Sequence, residues 1–252
     1  MSRPKHEQED IVKDIRHNVG HFVENPYLRL GDADSAHGVI FGELDSLGEV
    51  AVKPHSKPPR PRAEFRNLER AAARGVDAVV PLQVADGQIA HYLFTQRRPG
   101  LSHLGQVNWG VGIAAPELRS VVAPTLNLGA STIADMHNVG ITNLDSQAKN
   151  IVFDTDGNHV LADGERISFD EPYGTRTIHA NHDVQVLGYS VLHRGLLADR
   201  SPTYRAGFLT DEIAEPYLGR VDGELFPDPL EVRREDIKDK WIGFIQKRPG
   251  IH

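Results

Sequence analysis

Cysteine is absent from the chain, which excludes disulfides, thiolate metal centres and a cysteine nucleophile. No run reaches the ~18 apolar residues that a membrane-spanning helix needs. The opening Met1-Ser2-Arg3-Pro4-Lys5-His6-Glu7 does not read as a signal peptide. Repeats and long low-complexity segments are also missing. A net charge of −7 argues against a chain built to coat nucleic acid. These absences lead us to expect a soluble cytoplasmic protein with neither membrane nor nucleic acid as a partner.

Several catalytic signatures are missing too. There is no H-E-x-x-H, and His179-x-x-His182 has no third ligand at a telling spacing, so the 13 histidines read as surface or hydrogen-bonded residues. Neither a G-x-S-x-G elbow nor a G-x-x-x-x-G-K-[ST] loop occurs, which leaves hydrolase and P-loop chemistry without support. Gly110-Val111-Gly112-Ile113-Ala114-Ala115 fits G-x-G-x-x-A. It lacks a preceding hydrophobic strand, and Pro116 spoils the required helix opening, so it reads as a glycine-containing loop.

What the chain does hold is 252 residues, 39% hydrophobic and 25% charged, enough for one large domain or one unit of two lobes. Glu7 to Asn18 could form a short helix in a polar extension, 1–26. Tyr27–Leu30, Val39–Leu44 and Glu49–Lys53 read as short strands, with Gly31–Gly38 as the first hairpin. The proline-rich 54–61 is a loop. Arg62–Arg74 is a helix ended by Gly75, with Phe65, Leu68 and Ala72 as its apolar stripe and Glu64 and Glu69 flanking it. Lys53 to Arg74 holds seven Lys/Arg against two Glu, which reads as a solvated basic face. Ala78–Val84 and Ile89–Thr95 are the next strands. Pro116–Met136 is helical with a break near Pro124, and Asp183–Leu192 and Glu231–Gln246 are further helices. Trp241, Ile242, Phe244 and Ile245 read as core.

The most informative stretch is 137–163. Asp145 and Asn150 stand five apart on a loop. Ile151–Phe153 and Val160–Ala162 read as a hairpin around the turn Asp156-Gly157-Asn158, with Asp163-Gly164 at its end. Such a hairpin is expected to bring Asn150 and Asp163 to one rim of hard oxygen donors, which suits Mg²⁺.

This stretch resembles the catalytic and metal-binding loops of the protein-kinase-like superfamily. Asn143-Leu144-Asp145-Ser146-Gln147-Ala148-Lys149-Asn150 stands where H-R-D-x-x-x-x-N is expected, and Asp163-Gly164-Glu165 stands for D-F-G. The Asp-to-Asn spacing is kept; the His-Arg before Asp145 and the Phe of the triplet are not. Val50-Ala51-Val52-Lys53 is similar to the V-A-I-K of the third kinase strand. Asp183-Val184 opens a helix similar to the one whose Asp braces the catalytic loop. The resemblance runs from about Tyr27 to Leu197. Gly31–Gly38 departs from the glycine-rich phosphate cover, and only twenty positions separate Asp163 from Asp183, too few for a regulated activation segment.

The resemblance implies a two-lobed α+β fold: a small antiparallel sheet with one helix over 27–96, then a mostly helical lobe over 97–252. It implies ATP and Mg²⁺ as cofactors. Asp145 would accept the proton of the attacking hydroxyl, Lys53 would place the α and β phosphates, and Lys149 would neutralise the transferred group. Asn150 and Asp163 would hold Mg²⁺. Glu64, chosen over Glu69, would pair with Lys53. Adenine would meet the backbone of Phe94, Thr95, Gln96 and Arg97. The implied activity is transfer of the γ-phosphoryl group to a hydroxyl of a protein Ser/Thr, the chain itself included. The alternatives are a small-molecule, aminoglycoside-like acceptor and a pseudokinase that holds a partner. Gln147 stands where Ser/Thr protein kinases usually carry Lys. The compact branches, RIO-like or aminoglycoside-phosphotransferase-like, are the nearest in pattern.

Overall fold

A computed structural model describes residues 5–25, 27, 38–106, 115–193, 197, 200–225 and 230–247. The chain divides into two compact units, one of Met1–Ser102 with Val152–Glu165, the other of His103–Ile151 with Arg166–His252. The segment that carries Asp163 therefore belongs to the first unit.

In the first unit, α1 (Lys5–Asn18) leads into β1 (Phe22–Glu24), β2 (Ile40–Leu44) and β3 (Gly48–His55). Then come α2 (Pro59–Ala72), β4 (Pro81–Asp86) and β5 (His91–Gln96). The five strands form one sheet in the order β1-β2-β3-β5-β4, every neighbouring pair antiparallel. The stretch before residue 27, read as a polar extension, supplies both a helix and an edge strand to this unit. Tyr27 lies in a turn, while residues 28–30, 31–37 and 110–114, which cover most of the expected Tyr27–Leu30 strand, the first hairpin and the glycine loop, lie outside the described residues.

Successive side chains on a strand point to opposite faces, and β3 shows the consequence. Val50 and Val52 are fully buried and join Ile11, Ile15, Phe22 and Phe94 in the core beneath α1. Lys53 and His55, in the alternate register, share the other face, where α2 packs. The buried stripe of α2 is Pro61, Glu64, Leu68 and Ala71, at spacings of three and four. The expected stripe of Phe65, Leu68 and Ala72 is thus rotated by one position: Phe65 is half-buried, Ala72 is exposed, and a glutamate lies on the inner face. The rotation is tolerated because Glu64 finds cationic and N–H partners there.

A short hairpin, Val152–Phe153 with His159–Val160, completes this unit. Its turn is set by Asp154, whose Oδ1 accepts from the backbone N–H groups of Asp156 and Asn158 at 3.0 and 2.9 Å.

The second unit is helical: α3 (Ala115–Asn138), α4 (Tyr173–His193), α5 (Pro202–Leu209), α6 (Glu215–Arg220) and α7 (Leu230–Lys247). A single π-helical turn, Thr210–Ala214, joins α5 to α6. Contrary to the expected break near Pro124, α3 runs through it. An interior proline costs roughly 3 kcal/mol. Here Val122, Leu126, Ala130 and Ile133, all buried at helical spacing, hold the segment in place. In α7, Arg233, Ile237, Trp241 and Ile245 form one buried row four residues apart. The Trp241 indole packs so closely on Gly188 of α4 that a Cβ there would lie 2.2 Å from its Nε1. No helix among the described residues is long and apolar enough to cross a membrane.

Candidate functional site

In the first unit the geometry centres on Lys53. Its Nζ stands 2.9 Å from Glu64 Oε1 and 3.0 Å from Asp163 Oδ1. The choice between Glu64 and Glu69 is settled by helix phase: Glu64 faces inward with no exposure, and Glu69 is exposed. Burial works against the ammonium, but the Asp163 and Glu64 carboxylates more than offset it, so the lysine's pKa stands above its usual range. Burial likewise opposes ionisation of Asp163. The Lys53 charge and the Glu165 N–H, at 3.0 Å, nevertheless hold that carboxyl below the usual carboxylate range.

Residues 163–165 are pinned to α2. Gly164 donates its N–H to Glu64 Oε1 at 3.3 Å, and Asn67 Nδ2 donates to Gly164 O at 2.8 Å. A Cβ on residue 164 would lie 3.1 Å from Leu68 Cγ and 3.2 Å from Glu64 O, which accounts for glycine there. Glu165 pairs with Arg60 at 2.9 Å. These contacts give the Asp-Gly-Glu triplet a physical basis: the first residue faces Lys53, the second must be small, and the third is held by Arg60.

In the second unit, the loop carrying Asp145 follows a three-residue strand, Ile141–Asn143, paired antiparallel with Ile167–Phe169. The loop closes on itself. Asn150 Nδ2 donates to Asp145 O at 2.8 Å, Ser146 Oγ donates to Asn143 O at 2.8 Å, and Gln147 Nε2 donates to Asp145 Oδ1 at 2.5 Å. Asn150 thereby fixes the loop through its nitrogen and keeps its amide oxygen as a donor for a hard cation. Lys149 is half-buried in the turn 148–150 and makes no ion pair among the described residues.

Beneath this loop runs a buried chain of hydrogen bonds. Asp183 Oδ2 accepts the Asn143 N–H at 2.7 Å and lies 3.0 Å from His137 Nε2. His137 Nδ1 is 2.9 Å from the Tyr217 hydroxyl, which accepts from Arg233 NH2 at 2.7 Å. Burial and the nearby Arg233 charge push His137 down to about 3, so its imidazole is neutral near pH 7. The network then assigns one tautomer: Arg233 donates to Tyr217, Tyr217 donates to Nδ1, and Nε2–H donates to Asp183. Burial raises the Asp183 carboxyl well above its usual value, partly countered by the Asn143 N–H. The contact is therefore a hydrogen bond from a neutral imidazole. Asp183 braces the loop backbone from the middle of α4, which begins at Tyr173 and not, as expected, at Asp183. Sequence reading missed the roles of His137, Tyr217 and Arg233, because a buried histidine or arginine has no periodic signature.

The expected adenine segment lies differently. Phe94, Thr95 and Gln96 are inside β5, with Phe94 and Thr95 paired to both β3 and β4. The Gln96 N–H is given to Val80 O at 2.8 Å and the Arg97 N–H to Glu49 O at 3.2 Å. Those two donors are already used in the first unit and are not offered to a base.

No protein-family model matches the chain, and no curated protein matches it in sequence. Solved structures do match in fold. A structure of WaaP in complex with acyl carrier protein aligns with a TM-score of 0.54, over 95% of this chain and 91% of that one, at 16% identity. The kinase domain of a Toxoplasma gondii specific rhoptry antigen gives 0.49, over 98% and 93%, at 12% identity. The PknI kinase domain of Mycobacterium tuberculosis gives 0.47, over 88% and 96%, at 13% identity. The fold is kinase-like: α+β, with an antiparallel sheet and a helical portion.

Proposed function

We propose that this chain is an ATP-dependent phosphotransferase that moves the γ-phosphoryl group to a hydroxyl, with a protein Ser/Thr, its own chain included, as the acceptor class. The observation that carries this is Lys53 held at once by Glu64 at 2.9 Å and Asp163 at 3.0 Å. A buried lysine between two carboxylates is costly to assemble, and phosphoryl transfer needs such an oriented cation more than it needs covalent chemistry.

In this proposal Lys53 places the α and β phosphates and Glu64 fixes its ammonium. Asp163, about a third exposed, fits Mg²⁺ as a hard carboxylate ligand, and Asn150 fits as an amide-oxygen ligand. Mg²⁺, when bound, would neutralise charge on the triphosphate. Asp145 accepts the acceptor hydroxyl's proton, with Gln147 orienting its carboxylate. Lys149 is assigned the neutralisation of the transferred group. The used-up N–H groups of Gln96 and Arg97 take those two donors out of the adenine assignment.

The test is thermal unfolding of the full chain with Mg²⁺ and ATP, parent against Asp163→Ala. Ligand at about a hundredfold over Kd stabilises by about 2.7 kcal/mol, so the parent should show a clear rise in Tm that the variant loses. No rise at millimolar nucleotide would overturn the nucleotide-binding role and leave the fold serving as a partner-binding module.

A further inference from the structure

Next to the Lys53 pair lies a second arrangement, which shares only Glu64 with it. His55 follows Lys53 by two residues on β3 and so shares its face. The carboxylates around them divide their oxygens. Glu64 gives Oε1 to Lys53, and its Oε2 lies 3.0 Å from His55 Nε2. Glu165 gives Oε1 to Arg60, and its Oε2 lies 3.9 Å from His55 Nδ1. His55 is 1% exposed and Glu64 is not exposed at all. Yet neither ring nitrogen of His55 nor Oε2 of Glu64 has a hydrogen-bond partner among the described residues. The short approach of His55 to Glu64 lacks the alignment of a hydrogen bond. Buried polar atoms left this way cost about 1–3 kcal/mol each, and several in one cluster call for an occupant.

We propose that His55, Glu64 and Glu165 form a site for a divalent transition-metal cation of the Zn²⁺ type. One ligand atom from each of the three lies within 4.8 Å of the other two. Tetrahedral Zn²⁺ with bonds of roughly 2.0–2.1 Å sets its ligands about 3.3 Å apart, a span these side chains reach by modest adjustment. Charge agrees: Lys53 and Arg60 face Glu64, Asp163 and Glu165, two cations against three carboxylates, which leaves one negative charge in excess. The imidazole favours Zn²⁺ over Mg²⁺, which prefers oxygen ligands in an octahedron. His55 also lines a cavity of about 680 Å³ bordered by α1 and residues 88–90, which offers a route from solvent. The site does not depend on phosphotransferase activity. Because Glu64 serves both arrangements, a bound cation would lock the carboxylate that orients Lys53.

The test titrates Zn²⁺ alone into the untagged, chelator-treated full chain by calorimetry, with Co²⁺ absorption as a second readout of coordination. The parent should bind one equivalent. His55→Gln and Glu165→Gln should each weaken it by at least the roughly 10–100-fold that loss of even an outer partner costs. Glu165 is partly exposed, so Glu165→Gln keeps the test alive should His55→Gln fail to fold. No uptake by the parent, or uptake unchanged in the folded variants, as binding at His91–Asp86 or His179–Glu171 would give, overturns the proposal.

Discussion

Lys53→Met keeps most of the apolar stem, one atom shorter, and removes the ammonium with its charge and its N–H donors. The Lys53 side chain is 16% exposed, and its ammonium stands within 3.0 Å of two carboxylates. Removing one member of a buried ion pair costs about 3–5 kcal/mol, because the partner is left charged in a poor solvent. Two features place this case at the low end. Asp163 is 32% exposed, so water recovers part of its hydration. Glu64 keeps the Gly164 N–H at 3.3 Å. The expected cost is about 3 kcal/mol, which is about 150-fold in an opening equilibrium. Because the chain has two units, local opening is a better readout than a single global transition. Amide hydrogen exchange in β3 and α2 should accelerate by about that factor, with α7 as the internal reference. Lys149→Met, which breaks no ion pair among the described residues, should stay within about 0.5 kcal/mol of the parent. If exchange in β3 and α2 changes less than about twofold in Lys53→Met, the ion pairs do not hold that unit together and the reasoning fails.

Asp14 ties α1 to the turn between β4 and β5, accepting from Tyr92 OH at 2.5 Å, Gln88 N at 2.8 Å and Ile89 N at 3.3 Å. Asp14→Ala should cost about 3 kcal/mol, read by urea unfolding. Burial opposes its ionisation, but these donors together hold the carboxyl below its usual range. The parent's advantage should therefore be complete above about pH 4, where the unfolded carboxyl is ionised, and shrink as pH falls through the folded value; an advantage that grows on acidification would contradict this. Gly188→Ala would drive a methyl into the fully buried Trp241 indole, whose N–H is held by Gln185 O at 3.2 Å. A loss of about 1–3 kcal/mol and a changed Trp241 fluorescence are expected; a variant as stable as the parent would show that α4 and α7 can slide apart at little cost.

The kinase-like plan was legible because several of its signals are local. Val50-Ala51-Val52-Lys53 alternates visibly, and Asp145 to Asn150 keeps a fixed spacing. What sequence could not give was phase and partnership. The α2 stripe was read from apolar residues alone, so a glutamate on the inner face displaced it by one position; only the contacts to Lys53 and Gly164 make that placement affordable. Helix α1 lies in a stretch that reads as polar, yet its Ile11, Val12 and Ile15 join the core against the sheet. Pro124 marks a break in sequence terms, and burial of its neighbours overrides it. His137 precedes the Asp145 loop, but its neutral state and its bond to Asp183 depend on Tyr217 and Arg233, far along the chain.

The central proposal is tested most directly by label transfer from γ-labelled ATP with Mg²⁺, comparing the parent with Asp145→Asn against protein mixtures, the chain itself and aminoglycosides. The parent should label a protein hydroxyl, and the variant should fall by the roughly 10²–10⁴-fold that a lost general base costs. Equal labelling by the two would contradict the role given to Asp145, and label found only on a small molecule would overturn the assignment of a protein acceptor.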